Sequence, residues 1–175
     1  MAKLRQIAQL GAAILRQEAK SVEFDAADTQ SVISDMLVTL ADSNGVGLAA
    51  PQIYEPYRIV IIASRPTPRY PDAPEMQPTV MINPTFQALS EQKHKDWEGC
   101  MSIPGIRALV PRFTHIEAMF TSQEGKLISQ PFENFIARVF QHEYDHLNGM
   151  VYLDRVENSQ DIISENEFNK QIISQ

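Results

Sequence analysis

Several features that define particular classes of protein are scarce or missing in this sequence. Cys100 is the single cysteine among 175 residues. One thiol cannot form an internal disulfide, so the fold does not depend on an oxidising compartment. The chain also lacks any run of about 18 consecutive apolar residues, the length that a membrane-spanning helix needs. Basic residues are fewer than acidic ones, 15 against 22. The resulting net charge of −7 does not favour binding to nucleic acids or to anionic membranes.

The N-terminal segment combines early basic residues with scattered apolar ones. Lys3 and Arg5 come first, but Gln6 and Gln9 then interrupt the apolar pattern, which is continuous in a secretory signal. We therefore expect an amphipathic segment that packs on the domain, and a cytoplasmic protein of bacterial type. The first seventeen residues contain no acid, so an organellar transit role stays open.

The length and the composition predict one globular domain of the α+β class. Hydrophobic residues make up 43% and charged residues 21%, and we assign residues 1–175 to a single domain. Apolar residues at three- and four-residue steps predict helices, and β-branched or alternating runs predict strands. We expect short, mostly antiparallel β-sheets packed around a central helix, with another helix towards the N-terminus. The predicted helices cover 25–41 and 133–147; the predicted strands cover 57–63, 79–83, 85–89, 107–110, 115–121 and 126–132.

Residues 64–78 contain five prolines. Proline lacks a backbone donor and fixes φ, so this stretch is predicted to be an irregular surface loop.

The central predicted helix carries two histidines one turn apart. His142, Glu143 and His146 form the pattern H-E-x-x-H, and residues four apart lie on the same face of a helix. Two imidazoles at this spacing can bind one metal ion, and the glutamate can accept a proton from water at such a site. The pattern also arises by chance on exposed polar helices. Apolar residues on both sides indicate a buried helix instead, where unpaired polar groups are costly.

A catalytic metal site of this kind needs a third protein ligand. Tyr152 occupies the position at which one class of zinc peptidases has a third histidine. The two remaining histidines lie in a charged segment and in a predicted strand, which favours neither as a ligand. Cys100 is a candidate because thiolate binds zinc and ferrous iron. A downstream acid, Glu157 or Glu165, is the alternative.

Two further segments carry candidate functional residues. Residues 45–52 are GVGLAAPQ, a loop whose missing side chains let the backbone approach a ligand and in which Gln52 offers an amide donor. This segment matches neither the dinucleotide-binding fingerprint nor the P-loop. Residues 98–102 are EGCMS and contain the cysteine. The segments GVGLAAPQ, EGCMS and QHEYDH, in this order, closely resemble the three signature motifs of peptide deformylases. The similarity extends through Asp154, and Met101 stands where many family members carry leucine.

The resemblance implies a metal-dependent hydrolase. Such an enzyme removes the formyl group from the N-terminal formyl-methionine of newly made polypeptides and releases formate. By resemblance, Cys100, His142 and His146 bind one divalent metal ion, most commonly Fe²⁺, which Zn²⁺, Ni²⁺ or Co²⁺ can replace. Glu143 is implied as the proton acceptor and donor. The side-chain amide of Gln52 and the backbone N–H of Met101 are implied to stabilise charge on the formyl oxygen; the implied catalytic residues are thus Glu143, Gln52 and Met101.

The expected substrate is an N-formyl-methionyl peptide, met near the ribosome by a monomeric enzyme. An apolar pocket must take the methionine side chain, and the peptide beyond it can pair with backbone of the glycine-containing loop. The residues predicted to bind substrate are Gly45, Val46, Gly47, Phe135, Arg138 (through its aliphatic stem) and Val139.

Two alternatives to this function remain open at the level of the sequence. One is another H-E-x-x-H zinc peptidase, with Glu157 or Glu165 as its third ligand. The other is a deformylase-like protein that has lost turnover and acts as a binding module, or a metal site that is purely structural.

Overall fold

The structure is a computed structural model that describes residues 2–173. It contains three α-helices, which are α1 (Ala27–Ala41), α2 (Asn134–Leu147) and α3 (Glu165–Phe168). Short 3-10 helices cover Ala13–Arg16, Ala50–Ile53, Tyr152–Arg155 and Ser159–Asp161, and a π-helical turn covers Asn169–Ile173. None of the helices within residues 2–173 has the length and apolar character needed to cross a membrane.

Both long helices follow the predicted ranges to within two residues. The buried face of α1 includes Val32, Ile33, Met36 and Leu40, which recur at the three- and four-residue spacing of a helix. Helix α2 ends before Gly149, whose φ of +68° is the left-handed conformation that favours glycine after a helix.

A five-stranded antiparallel sheet forms one side of the molecule, with the strand order β1-β2-β3-β6-β7. Strand β2 is buried along its whole length because it lies between β1 and β3 and is covered by apolar clusters on both faces. The two strands expected around Pro84 are one strand with an irregularity, and Asn83 at that point has a φ of +49°. The strand bounds are Gly47–Ala49 (β1), Ile59–Ile62 (β2), Thr79–Ala88 (β3), His115–Thr121 (β6) and Leu127–Glu133 (β7).

A three-stranded antiparallel sheet, with the order β4-β5-β8, forms the other side. It consists of β4 (Lys93–Cys100), β5 (Ile103–Phe113) and β8 (Ile162–Ser164). The sequence did not predict β4, because its first four residues are charged or polar and exposed and carry no apolar alternation. Cys100 pairs with Ile103 at the tight turn between β4 and β5.

Helix α2 lies centrally and contacts strands of both sheets, including β1, β2 and β7 on one side and β5 on the other. The α+β class with mostly antiparallel strands packed around this helix is therefore confirmed.

The amphipathic segment expected at the N-terminus packs on the domain, with Ala8 and Leu15 buried. It contains only the 3-10 turn at 13–16, so α1 is the first α-helix of the described residues. The backbone N–H of Ala8 donates to the carbonyl of Gln52 at 2.7 Å, and that of Leu10 donates to Ser102 at 2.8 Å. These bonds hold the segment extended against the two loops that flank the candidate site.

Candidate metal centre and active site

The side chain of Cys100 converges with those of His142 and His146, which α2 carries in a distant part of the chain. The ligand atoms of Cys100, His142 and His146 all lie within 4.8 Å of one another, and all three residues are buried. The Sγ atom of Cys100 is 3.4 Å from Nε2 of His146. The convergence follows from the fold, because the end of β4 delivers the cysteine to the helix face that carries both imidazoles.

The two acids considered as alternative ligands are paired elsewhere. A carboxylate oxygen of Glu165 lies 3.3 Å from Nε of Arg107, and one of Glu157 lies 3.3 Å from Nζ of Lys95. Neither belongs to the buried group of ligand atoms.

The donor set suits a divalent transition metal. Burial by itself raises the pKa of the Cys100 thiol, but the adjacent rings of His146 and His142 lower that pKa well below its usual value. A thiolate with two neutral imidazoles matches the sites that proteins use for zinc and for ferrous iron, and three protein ligands leave a position open for solvent. The residues therefore fit the divalent metal that the three motifs imply.

A buried carboxylate fixes the orientation of the first histidine. An oxygen of Glu98 lies 2.8 Å from Nδ1 of His142, which leaves the other ring nitrogen free to face a metal. Arg112 donates two hydrogen bonds to the same carboxylate, at 2.9 and 3.0 Å, and Arg138 donates a third at 2.9 Å. Burial raises the pKa of Glu98, but Arg112 and His142 outweigh burial and hold this pKa well below its usual range.

The charged network extends from Glu98 to Asp145, which also lies next to the site on α2. Arg112 also donates to Asp145 at 2.6 Å, and Arg155 donates to both oxygens of Asp145 at 2.8 and 3.2 Å. Burial raises the pKa of Asp145, but the guanidinium groups of Arg155 and Arg112 outweigh burial and lower this pKa below its usual value. Asp145 thus pairs with Arg112 and Arg155 and is not part of the metal group.

Glu143, next to His142 on α2, belongs to the same site. Burial raises the pKa of its carboxyl group to about 7. Its Oε2 atom is buried and has no hydrogen-bond partner, which is unusual for a carboxylate inside a protein. A group with this pKa can take up and release a proton near neutral pH.

Gly47 is placed directly against this carboxylate. A Cβ atom added at Gly47 would lie 2.5 Å from Oε1 of Glu143. A glycine is therefore required at this position because the backbone approaches Glu143 closely. Its φ is not the reason, because it lies outside the left-handed region.

The Gln52 amide is held in one orientation. Its Oε1 atom accepts from the backbone N–H of Ala49 at 2.9 Å. Its Nε2 atom donates to Oγ of Ser102 at 3.2 Å and lies 3.5 Å from Sγ of Cys100. The amide donor is thereby aimed at the metal group. The sequence pattern gave no reason to single out Ser102, which completes this arrangement.

A pocket opens beside the metal group. All the positions predicted to bind substrate line it, and so do Gln52, Met101 and Glu143. The predicted lining residues are Gly45, Val46, Gly47, Phe135, Arg138 and Val139.

The pocket wall also contains residues that were not predicted to contact substrate, from two separate parts of the chain. Arg69 and Tyr70 come from the proline-rich loop, and Trp97 comes from β4. The proline content predicted only that residues 64–78 are irregular, and nothing in it indicates that two of their side chains turn towards the site.

This arrangement combines a candidate metal-binding triad, a carboxylate of near-neutral pKa, an oriented amide donor and a mostly apolar pocket. Together these groups can hydrolyse the amide bond that joins a small acyl group to the end of a longer ligand. The profile of the polypeptide deformylase family matches residues 4–161 of the chain. The chain belongs to this family.

Curated relatives agree with the family profile over almost the whole chain. Peptide deformylase 2 of Nostoc sp. is 49% identical over 169 residues, which cover 96% of this chain and 94% of the relative. Peptide deformylase 1 of Nitrosomonas europaea is 43% identical over 154 residues, covering 87% and 88%.

Solved structures of deformylases share the fold. A class I type b peptide deformylase from Acinetobacter baumannii with bound Met-Ala-Ser has a TM-score of 0.85 and 38% identity, covering 89% of this chain and all of that one. The Thermotoga maritima peptide deformylase has a TM-score of 0.78 and 31% identity, covering 89% and 99%.

The chain is therefore a deformylase, a hydrolase that removes the N-formyl group from newly made polypeptides. The family implies a divalent metal, and Cys100, His142 and His146 form the candidate site for it.

Proposed function

We propose that Cys100, His142 and His146 hold one divalent metal ion, Fe²⁺ in the cell, and that Glu143, Gln52 and Met101 carry the reaction. One observation supports this assignment above the others. A buried carboxylate without a partner lies beside a thiol and two imidazoles whose ligand atoms are within 4.8 Å of one another. Because zinc, nickel and cobalt accept the same ligands, each can replace iron in the purified protein.

The bound metal supplies Lewis acidity, which brings the pKa of water towards neutrality. Glu143 accepts the proton of the attacking water, for which its pKa of about 7 is well suited. After attack on the formyl carbon, the same carboxyl group returns the proton to the leaving amine. The products are formate and a free N-terminal methionine.

The oxygen of the formyl group gains negative charge during attack. The Gln52 side-chain amide is already oriented towards the site by its bond to Ala49, and the backbone N–H of Met101 lies at the adjacent turn. Two such donors stabilise the charge, and the loss of one typically lowers the rate by about 10²–10³.

The pocket beside the metal group receives the methionine side chain. Val46, Phe135 and Val139 give it an apolar wall, to which the stem of Arg138 adds while its guanidinium is held by Glu98. The Acinetobacter baumannii relative was solved with Met-Ala-Ser bound, a peptide of the kind that the reaction releases. We propose that this deformylase holds such peptides along the backbone at Gly47, which begins the edge strand β1, and at Gly45 just before it.

The chemistry of the substrate also suggests where and how the protein works. Formyl-methionine is present on nascent chains, so we propose action near the ribosome, in a bacterial-type cytoplasm and by a monomer. No contact with nucleic acid is proposed, given the net charge of −7.

The test is formate release from formyl-Met-Ala-Ser by protein kept ferrous and anaerobic. Glu143→Gln should keep its metal content and lose about 10²–10⁴ in kcat, the usual contribution of a general acid–base. Glu91→Gln, the same change at an exposed position outside the pocket, is the control and should retain full activity. A kcat for Glu143→Gln close to that of the wild type would overturn the role of Glu143.

The ligand set is tested separately by metal content. Cys100→Ser should bind metal far more weakly, as measured by elemental analysis after dialysis, because the thiolate is lost. Full metal occupancy in this variant would exclude Cys100 as a ligand and favour a different H-E-x-x-H arrangement. Full occupancy of the wild type without formate release would favour a binding module.

A further inference from the structure

The C-terminal segment, residues 162–173, packs against residues of the pocket wall. Strand β8 pairs with β5, Ile106 opposite Ser164, and α3 follows directly. Phe168 at the end of α3 is buried, and its ring centroid lies 5.4 Å from that of Trp97 in an edge-on arrangement. Trp97 also lines the pocket, so Phe168 contacts a residue of the wall around the space proposed for substrate.

A buried arginine links this segment to the proline-rich loop. The guanidinium of Arg107 lies over the ring of Phe168 at 4.9 Å and over the ring of Tyr70 at 5.2 Å. Its Nε atom is 3.3 Å from the Glu165 carboxylate. Its Nη2 atom donates to the backbone carbonyl of Arg69 at 3.4 Å. Arg107 is only 2% exposed, and a buried cation between two rings needs these partners.

The loop residues held by Arg107 form part of the pocket wall. The Tyr70 hydroxyl lies 3.3 Å from both the N–H and the carbonyl of Gly99, next to the candidate ligand Cys100. The ring of Tyr70 lies 5.4 Å from that of Phe135, a predicted substrate-binding residue. Glu165 adds a second link, since its carboxylate is 3.6 Å from Nη2 of Arg69.

The side chain of Arg107 packs closely against the backbone of Gly99. A Cβ atom at Gly99 would lie 2.8 Å from Cδ of Arg107. The arginine therefore runs directly over the strand end that carries the candidate metal ligand, and its position depends on a glycine there.

We propose that Glu165 and Phe168 are positioning residues for the substrate pocket. They hold Arg107, which holds Arg69 and Tyr70 in the wall, and so they set the affinity for the formyl-peptide. This inference rests on the proposed role of the pocket. Glu165 pairs with Arg69 and Arg107, and Phe168 contacts Trp97 and Arg107, so neither reaches Glu143 or Gln52 directly within the part of the chain that the structure describes. Their loss should therefore raise KM while kcat is largely kept.

The first experiment compares variants of Phe168 in the full chain. Phe168→Ala removes an aromatic pair and one of two ring contacts with Arg107, and we expect KM for formyl-Met-Ala-Ser to rise about tenfold. The value of kcat should stay within about a factor of two. Phe168→Tyr keeps the ring and should restore the wild-type KM. Lys170→Ala, on the same segment but paired only with the exposed Glu167, is the control and should change neither constant.

A double variant tests the route through Tyr70. In a Tyr70→Ala background, Phe168→Ala should add little further increase in KM, because both changes remove the same placement of the loop. Independent effects that multiply would show that the segment acts elsewhere and would overturn the proposal.

Two readouts do not depend on turnover. Trp97 is the only tryptophan, so its quenching by acrylamide should increase when Phe168 is replaced by alanine. The affinity for the product peptide Met-Ala-Ser, measured by calorimetry, should fall by the same factor as KM rises. A fall in kcat at unchanged KM, in step with lost folded protein, would indicate only structural support and would contradict the proposal.

The outcomes also separate this inference from the proposed function. If the wild type loaded with metal releases no formate, the proposed function fails. If the wild type is active and Phe168→Ala binds and turns over the peptide with wild-type constants, the positioning role alone is wrong.

Discussion

The two sheets of this deformylase contribute to the site in opposite ways. The five-stranded sheet is built from buried aliphatic strands such as β2, and it brings Gly47 to the site as bare backbone. The three-stranded sheet carries the charges, since Glu98 and Arg112 lie on β4 and β5 and Cys100 ends β4. The first sheet supplies shape, and the second supplies the thiol and the charged groups that meet the histidines of α2.

The energetic basis of the two sheets differs accordingly. Aliphatic burial is non-directional, and its loss is graded by the volume removed. The buried charges on the second sheet are stable only as a complete set, because removal of one member leaves the others uncompensated. Single substitutions should therefore have the larger effect in the charged network.

The largest effect is expected from Arg112→Met. This change leaves Glu98 and Asp145 buried with fewer cations, and we expect a loss of about 3–5 kcal/mol in the free energy of unfolding. Urea denaturation of the metal-loaded protein measures it. Arg155→Met is the matched control, since Arg155 pairs with the same Asp145 but is 45% exposed. It should lose less than about 1 kcal/mol. Equal losses in the two variants would remove the distinction between buried and exposed members of the network.

Gly47→Ala tests the shape contribution of the first sheet. The new Cβ would meet the Glu143 carboxylate, a movable group, and displace it rather than disrupt the fold. We expect kcat to fall about 10²-fold, as for a displaced catalytic group, while the melting temperature stays near that of the wild type. In Gly45→Ala the Cβ meets the Met101 side chain instead, so its kcat should fall less. A wild-type kcat for Gly47→Ala would show that the close approach has no catalytic role.

Ile61→Val tests graded loss in the aliphatic sheet. Ile61 is fully buried between Leu48 and Val80, and removal of one methylene should lower the unfolding free energy by about 1 kcal/mol with kcat unchanged. Ile162→Val on β8 of the other sheet is 41% exposed, and its loss should be below about 0.5 kcal/mol. A large effect at Ile162 would contradict the view that β8 adds little apolar burial.

The smallest effect is expected at Asp35. Its ion pair with Arg5 joins the same two kinds of group as the Arg112 pairs, but the arginine is partly exposed. Burial raises the pKa of Asp35, but the backbone N–H of Lys3 and the Arg5 guanidinium outweigh it and lower the pKa. Because the folded pKa lies below the unfolded one, this stabilisation is present above the unfolded pKa of about 3.9. It is lost as the pH falls through the folded pKa.

Asp35→Asn should therefore lower the unfolding free energy by less than about 1 kcal/mol at pH 7, the range of partly exposed pairs. Thermal or urea unfolding between pH 7 and pH 3 should show the difference from the wild type closing as the pH falls. A difference that stayed constant over this range would mean that the charge of Asp35 is not its source.

Most of the first sheet and both long helices were predictable, and most of the second sheet was not. Val60 and Ile61 belong to a β-branched run, and Ile33 and Met36 repeat at helical spacing, so local pattern was enough for them. Strand β4 begins with exposed charged residues, and only pairing with β5 makes it a strand. Likewise, nothing local to Tyr70 indicates that its ring reaches Phe135.

The sequence by itself determined which groups are available for the reaction, and the resemblance of its three motifs to those of deformylases implied the reaction class. Two histidines one helical turn apart around Glu143, one thiol in EGCMS and one amide in GVGLAAPQ are local patterns, and helical spacing alone puts both imidazoles on one face. Only the tertiary structure decided which groups are desolvated together. It placed Cys100 against the two imidazoles, raised the pKa of Glu143 by burial, and used Glu98 and Arg112 to orient His142. Such contacts join residues far apart in the chain, and their energies depend on burial, which no local pattern records.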